Sequence, residues 1–198
     1  MKERKPKSGV YPAVSGGGNL GVNCVYSWMN YWLLKSEPDA FSIQDLERDR
    51  KTWWDGVRNY QARNYLSSMM RGDLCLFYHS RCQVPGIVGL CRVIGEAEPD
   101  PIAWDSNSKY YDPKSSPENP RWVRVQMEFV ETFGEQVSLH TLKSTPSLEK
   151  MRVVQKGSRL SVTPVEENEW TTVLAMARPQ TKSGGSSRKA GAKSGRQS

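Results

Sequence analysis

The chain has 198 residues, room for one domain of ordinary size with a tail at each end. Hydrophobic residues make up 37%, below the globular average, so part of the chain contributes to no core. The net charge of +7 suits a nucleic-acid partner only until it is mapped: residues 1–29 carry +3, residues 178–198 carry +6 and residues 30–177 carry −2. The basicity belongs to the ends, and no broad phosphate-binding face follows from it for the folded part.

Cys24, Cys75, Cys82 and Cys91 show neither CxxC pairing nor histidine at ligand spacing, which excludes the common zinc modules. Cys75 and Cys91 sit in apolar strand-like runs and are expected to be reduced, buried thiols. No apolar run approaches the roughly 18 residues of a membrane span, and the charged, Gly-rich start carries no signal-peptide core. The expectation is a soluble monomer in a reducing compartment, the cytoplasm in a bacterium or the nucleus in a eukaryote, with no metal, cofactor or membrane partner.

Residues 1–28 lack periodicity and contain a glycine triplet, so they are expected to be a disordered leader. Met29 stands directly before the first strand signal and is a candidate true start. Tyr31–Ser36 then reads as a strand ended by Glu37-Pro38. Ser42, with Asp45 three residues on, opens a short helix to about Arg48. Thr52–Asp55 is a short aromatic strand. Asn59 opens a second helix, whose apolar side comprises Tyr60, Ala62, Tyr65, Leu66, Met69 and Met70, and Gly72 ends it. Asp73–Ser80 and Gly86–Ala97 read as buried strands around a Pro/Gly turn. Residues 99–120 form a loop with five prolines, a length usual for functional or disordered segments. Trp122–Phe133 alternates as a long strand. Leu139–Lys143 and Ser147–Met151 are short helical pieces. Arg159–Thr163 is the last strand, and Pro164 leads a closing helix from Val165 to Ala177. Residues 178–198 are low-complexity and basic, an expected disordered tail.

Several strands with interspersed short helices and no βαβ alternation predict an α+β fold, a small mixed β-barrel with peripheral helices.

Five stretches carry a resemblance: YWLLKSEP (31–38), WDGVRNYQARN (54–64), FYHS (77–80), KYYDPKSSPENPRW (109–122) and GSRLSVTPV (157–165). Over residues 29–177 the chain resembles the EVE domain family, and neither tail belongs to that pattern. The resemblance implies a PUA-like barrel related to YTH and ASCH domains. It further implies a non-catalytic reader of DNA or RNA whose aromatic-lined pocket accepts a modified base, with modified cytosine such as 5-hydroxymethylcytosine the expected class.

In the related YTH domains a tryptophan at the matching place walls an aromatic cage, which points to Trp54 as pocket wall and leaves Trp53 to the core. Stacking holds a base by about 1–3 kcal/mol whatever its identity, so discrimination must come from hydrogen bonds. Asn59 and Asn64 each offer donor and acceptor together, as a base edge requires. The plainer alternatives are a helix N-cap for Asn59 and a surface residue for Asn64. Tyr60, beside Asn59, is a further ligand candidate. Arg58 and Arg63 flank the helix start, where either could meet a phosphate or the base. An ion pair of Arg58 with Asp55 would do as well. Ser36, in a Lys-Ser pair that also resembles the YTH pattern, His79 and Ser80 are expected at the barrel mouth. Tyr111, Asp112 and Lys114 are expected on a lid formed by the long loop with Tyr110, Lys114 against phosphate. Arg159 is expected to point toward the same mouth.

An enzyme would need a nucleophile with its base, paired carboxylates or a metal set. With histidines only at 79 and 140, no triad emerges, and the deaminase zinc signature is absent. An enzyme or accessory domain acting on modified nucleic acid, and a protein- or small-molecule-binding module, remain the alternatives.

Overall fold

The computed structural model describes residues 29–178. The expected leader, Cys24 and the tail beyond Arg178 lie outside the described residues. In chain order come β1 (Tyr31–Ser36), α1 (Ile43–Asp49), β2 (Lys51–Trp54), α2 (Tyr60–Ser68), β3 (Leu74–His79) and β4 (Gly86–Val93). A two-residue β5 (Glu98–Pro99) precedes β6 (Val123–Ser138), α3 (Leu139–Ser144), β7 (Val162–Val165) and α4 (Glu167–Ala177). Single 3-10 turns occupy Pro101–Ala103, Pro146–Leu148 and Arg152–Val154.

Local chemistry sets the helix starts. The Ser42 Oγ accepts from the Asp45 N–H at 3.1 Å while the Asp45 carboxylate accepts from the Ser42 N–H at 2.9 Å, a reciprocal capping box. The Asn59 Oδ1 accepts from the N–H groups of Gln61 and Ala62 at 2.9 and 3.1 Å. α2 stops at Ser68, short of the expected Gly72, because the chain turns there: Asp73 accepts from the Met70 N–H at 3.0 Å. The same buried carboxylate takes the Trp32 indole N–H at 2.8 Å and the Asn30 N–H at 3.0 Å, tying β1 to the start of β3.

The sheet order is β2-β6-β4-β3-β1-β7, with β5 pairing β6. Among the described residues only β1 and β3 run parallel, and the crossover between them is the α1–β2–α2 segment. The mixed α+β class is as expected, but the expected barrel closure is corrected: the strand path is open, ending on β2 and β7. One physical reason lies in β7, which has four residues and contains Pro164, a residue without an N–H for a further strand. α2 packs against both β7 and β6.

Pro164 also corrects the C-terminal boundaries. It lies inside β7, paired with Trp32, rather than leading a helix, and the strand is Val162–Val165 instead of Arg159–Thr163. The closing helix starts at Glu167, where Glu169 accepts from the Glu166 N–H at 3.0 Å. β6 runs on to Ser138, past the expected Phe133, and β4 stops at Val93 rather than Ala97. The long loop carries β5 and a 3-10 turn.

Alternation along β1 and β3 builds two cores. Trp32, Leu34, Cys75 and Phe77 face one side, with Ile43 and Leu46 of α1, Ala62 and Leu66 of α2, Val125 and Met127. Tyr31, Leu33, Leu76 and Tyr78 face the other, with Leu142, Met151, Trp170 and Val173. Cys75 and Cys91, the expected buried thiols, are free and oppose each other across β3 and β4. Burial, followed by its neighbour Cys91, pushes the Cys75 thiol far up, so it stays protonated.

Candidate nucleic-acid interface

The expected site residues fall into two groups. One gathers where the turn after β2, the start of α2 and the loop over 99–122 meet. The Tyr60 ring, half exposed at 51%, stacks on Trp122 with centroids 4.9 Å apart and planes 28° apart. The Arg63 guanidinium lies 5.0 Å from the Tyr60 centroid and donates to the Arg121 carbonyl at 2.9 Å and to the Asn64 Oδ1 at 2.7 Å. The Arg58 guanidinium lies 5.5 Å from the Trp122 ring and 5.7 Å from the Tyr110 ring. Of these groups Tyr60 faces solvent with Arg63 over its ring, a planar group beside a cation, while Trp122 is buried behind it.

The loop beneath is fastened by carboxylates. Asp112 accepts the Trp122 indole N–H at 2.7 Å and the Lys114 N–H at 2.9 Å, with Arg121 at 3.6 Å. The Lys114 backbone bond, then the indole, hold the Asp112 carboxyl below its ordinary value, so it stays ionised. Asp100 is fully buried and pairs with Arg58 at 2.8 Å, not Asp55 as one expectation had it. Asp55 is raised above its ordinary value, by desolvation first and then by the nearby Asp100 charge. Tyr111 and Lys114 are exposed on this loop.

The second group lies at the C-terminal ends of β1 and β3. The Ser36 Oγ donates to the Phe41 carbonyl at 2.6 Å, and the Ser36 carbonyl accepts from the Ser80 N–H at 2.7 Å. The His79 Nε2 accepts from the Ile43 N–H at 3.1 Å, at the first residue of α1. That role requires a neutral ring with its proton on Nδ1, and burial pushes the His79 pKa down, in the same sense. Lys35 donates to the Ser158 carbonyl at 3.1 Å, tethering the segment that carries the exposed Arg159.

Trp54 links toward this second group through Phe77: its ring meets Phe77 edge-on at 5.7 Å, and Phe77 meets His79 at 5.7 Å. The expectation that Trp53 belongs to the core needs correction. Trp54 is 8% exposed and part of the first core, whereas Trp53 is only half-buried, under the Arg124 guanidinium at 4.0 Å. Antiparallel pairing of β2 with β6 sets this, because Trp54 opposes the buried Val125 and its neighbour must face outward.

Sequence reasoning missed Trp122 and Asp100. Trp122 read as the first residue of a strand, and its stacking on Tyr60 arises from a separation of 62 positions that no local pattern shows. Asp100 precedes Pro101 as any turn residue would, and its burial against Arg58 is tertiary. A shallow groove along Glu167, Thr171 and Met176 lies on α4, whose inward residues belong to the second core, across the sheet from Trp54. Among the described residues no cluster of His, Cys, Asp and Glu is placed to hold a metal, and no helix is long and apolar enough to cross a membrane.

A mixed sheet clad in short helices, with an aromatic and cationic surface at one end, makes this a small α+β domain. The chain belongs to the EVE domain family, whose profile matches residues 30–176. It is 40% identical over 172 residues to thymocyte nuclear protein 1 of Homo sapiens, covering 78% of this chain and 76% of that protein. A crystal structure of a Pseudomonas syringae protein is similar at 50% identity and a TM-score of 0.73, covering 74% of this chain and 99% of that one. The crystal structure of human THYN1 protein in complex with 5-methylcytosine-containing DNA is similar at 38% identity and a TM-score of 0.72, covering 77% and 99%.

Proposed function

We propose that this domain is a non-catalytic reader of DNA carrying a modified base, a 5-substituted cytosine being the class that fits best. The carrying observation is the exposed Tyr60 ring, stacked on the buried Trp122 and flanked at the surface by the Arg63 guanidinium, which puts a planar group and a cation side by side. The complex of the related human protein with 5-methylcytosine DNA supports it. In this reading Tyr60, Tyr111, Arg63, Asn64 and Lys114 meet the strand, and the modified base stacks on Trp54. Because Trp54 is nearly buried, the base must open the interior between Trp54 and the mouth formed by Ser36, His79, Ser80 and Arg159. A 5-methyl group suits the apolar Phe77 ring, which meets Trp54 edge-on and also contacts Phe41, and a 5-hydroxymethyl group adds a hydroxyl for Ser36 or the His79 Nδ1–H. The domain acts as a monomer, in the nucleus of a eukaryote or the cytoplasm of a bacterium.

Titrating the full chain with duplexes that differ only in one cytosine, 5-methylcytosine or 5-hydroxymethylcytosine tests this. Tighter binding of a modified duplex is expected, and Trp54→Ala should weaken it about tenfold or more, since base stacking contributes about 1–3 kcal/mol. Tyr60→Ala should weaken all three duplexes alike. Equal affinity of the wild-type chain for all three would overturn the modified-base reading. No binding to any would leave a protein- or small-molecule-binding module.

A further inference from the structure

We propose that Arg58 is a positioning residue of this surface rather than a phosphate ligand, which rests on the nucleic-acid reading above. Its donors are directed inward. Nε donates to the Tyr110 carbonyl at 2.6 Å, and Nη1 donates to the Asp100 carboxylate at 2.8 Å and to the Val57 carbonyl at 3.1 Å. The side chain is 19% exposed, and Nη2 is buried without a hydrogen-bond partner. A guanidinium so placed has no free edge for an incoming phosphate.

What it joins explains its place. Asp100, besides Arg58, accepts from the Gly56 N–H at 3.1 Å and from the Ile102 N–H at 3.2 Å. Gly56, with φ +67°, lets the Tyr110 ring lie directly on the turn, because a Cβ there would sit 2.9 Å from that ring. Arg58 therefore fastens three things at once: the turn that follows Trp54, the loop through Tyr110 and Asp100, and the Trp122 face that supports Tyr60. The clasp presets the aromatic platform before nucleic acid arrives, which limits the ordering that binding must impose. Arg63 differs. It is half-buried over Tyr60, its carbonyl and amide acceptors carry no net charge, and it keeps its positive charge unneutralised at the surface.

Salt dependence separates the two roles. Each phosphate contact contributes about one unit to the slope of log K against log salt, whereas a positioning residue changes affinity at constant slope. With the full chain and a 5-methylcytosine duplex, Arg58→Lys and Arg58→Ala should each weaken binding about tenfold with the slope unchanged. Arg63→Ala should flatten the slope by about one. Arg58→Lys retains the charge and guards against misfolding of the alanine variant. Hydrogen exchange without DNA should show faster exchange of the Gly56, Ile102 and Asp112 amides in both Arg58 variants, with the β3 and β4 amides unchanged. A flattened slope in Arg58→Ala, unchanged affinity, or unchanged exchange overturns the proposal. Failure of the wild-type chain to bind any duplex removes the nucleic-acid reading itself, and the positioning role with it, even where exchange reveals the clasp.

Discussion

His79 shows how a residue of apparent chemical promise is committed to structure. Its Nε2 accepts the first N–H of α1, and a protonated ring would have no lone pair left to do so. Burial lowers the folded pKa below the ordinary 6.5. With a depressed folded value, stability is complete above about 6.5 and declines as pH falls from there toward the folded value, because only the unfolded chain takes the proton. The slope in that window is at most about 1.4 kcal/mol per pH unit. Urea unfolding at pH 7.5 and pH 5.5 should show a fall for the wild-type chain that His79→Gln lacks. Comparing the two chains cancels the carboxylates, including the raised Glu169 and Asp55, which oppose the trend. An equal fall in both would mean that another group titrates.

Helix starts were legible in the sequence because a cap is local: Ser42, Asp45 and Asn59 meet their partners within three residues. Strand faces were not. Adjacent tryptophans state only that they point to opposite sides, and pairing with Val125 decides that Trp54 turns inward. Pro164 misled for the same reason, since a proline after the expected strand Arg159–Thr163 reads as a helix start unless β1 is known to lie beside it. Asn59 is where cap and base contact compete. Its Oδ1 is committed to the cap, which leaves the amide nitrogen as the donor a base edge would need. Asn59→Ala should lower stability by about 1 kcal/mol, the usual worth of such a cap. Asn59→Asp retains a good cap and removes the amide donor. Chemical denaturation should find it as stable as wild type, while the affinity ratio between modified and unmodified duplexes falls. An intact ratio would leave Asn59 with the cap alone.

At the scale of the molecule, several strands with interspersed short helices and no βαβ alternation announced a mixed α+β fold, but closure depends on whether two distant edges pair, and the path ends open on β2 and the short, proline-bearing β7. Charge distribution, by contrast, was plain from the start. The folded part is near neutral, so on the proposed reading its contacts with a strand come from few cations placed around Tyr60, whereas residues 179–198 hold five Lys/Arg and no acid. Such a segment attracts phosphates without reading bases. Removing residues 179–198 should therefore weaken binding to modified and unmodified duplexes by the same factor and flatten the salt slope, each neutralised phosphate accounting for about 0.9 of a unit. On the proposed reading the preference ratio should not move, because that reading puts discrimination at Trp54 and the strand ends around it. Fluorescence anisotropy at several salt concentrations reads both quantities together, and a preference that falls with the tail would place base recognition outside the folded domain.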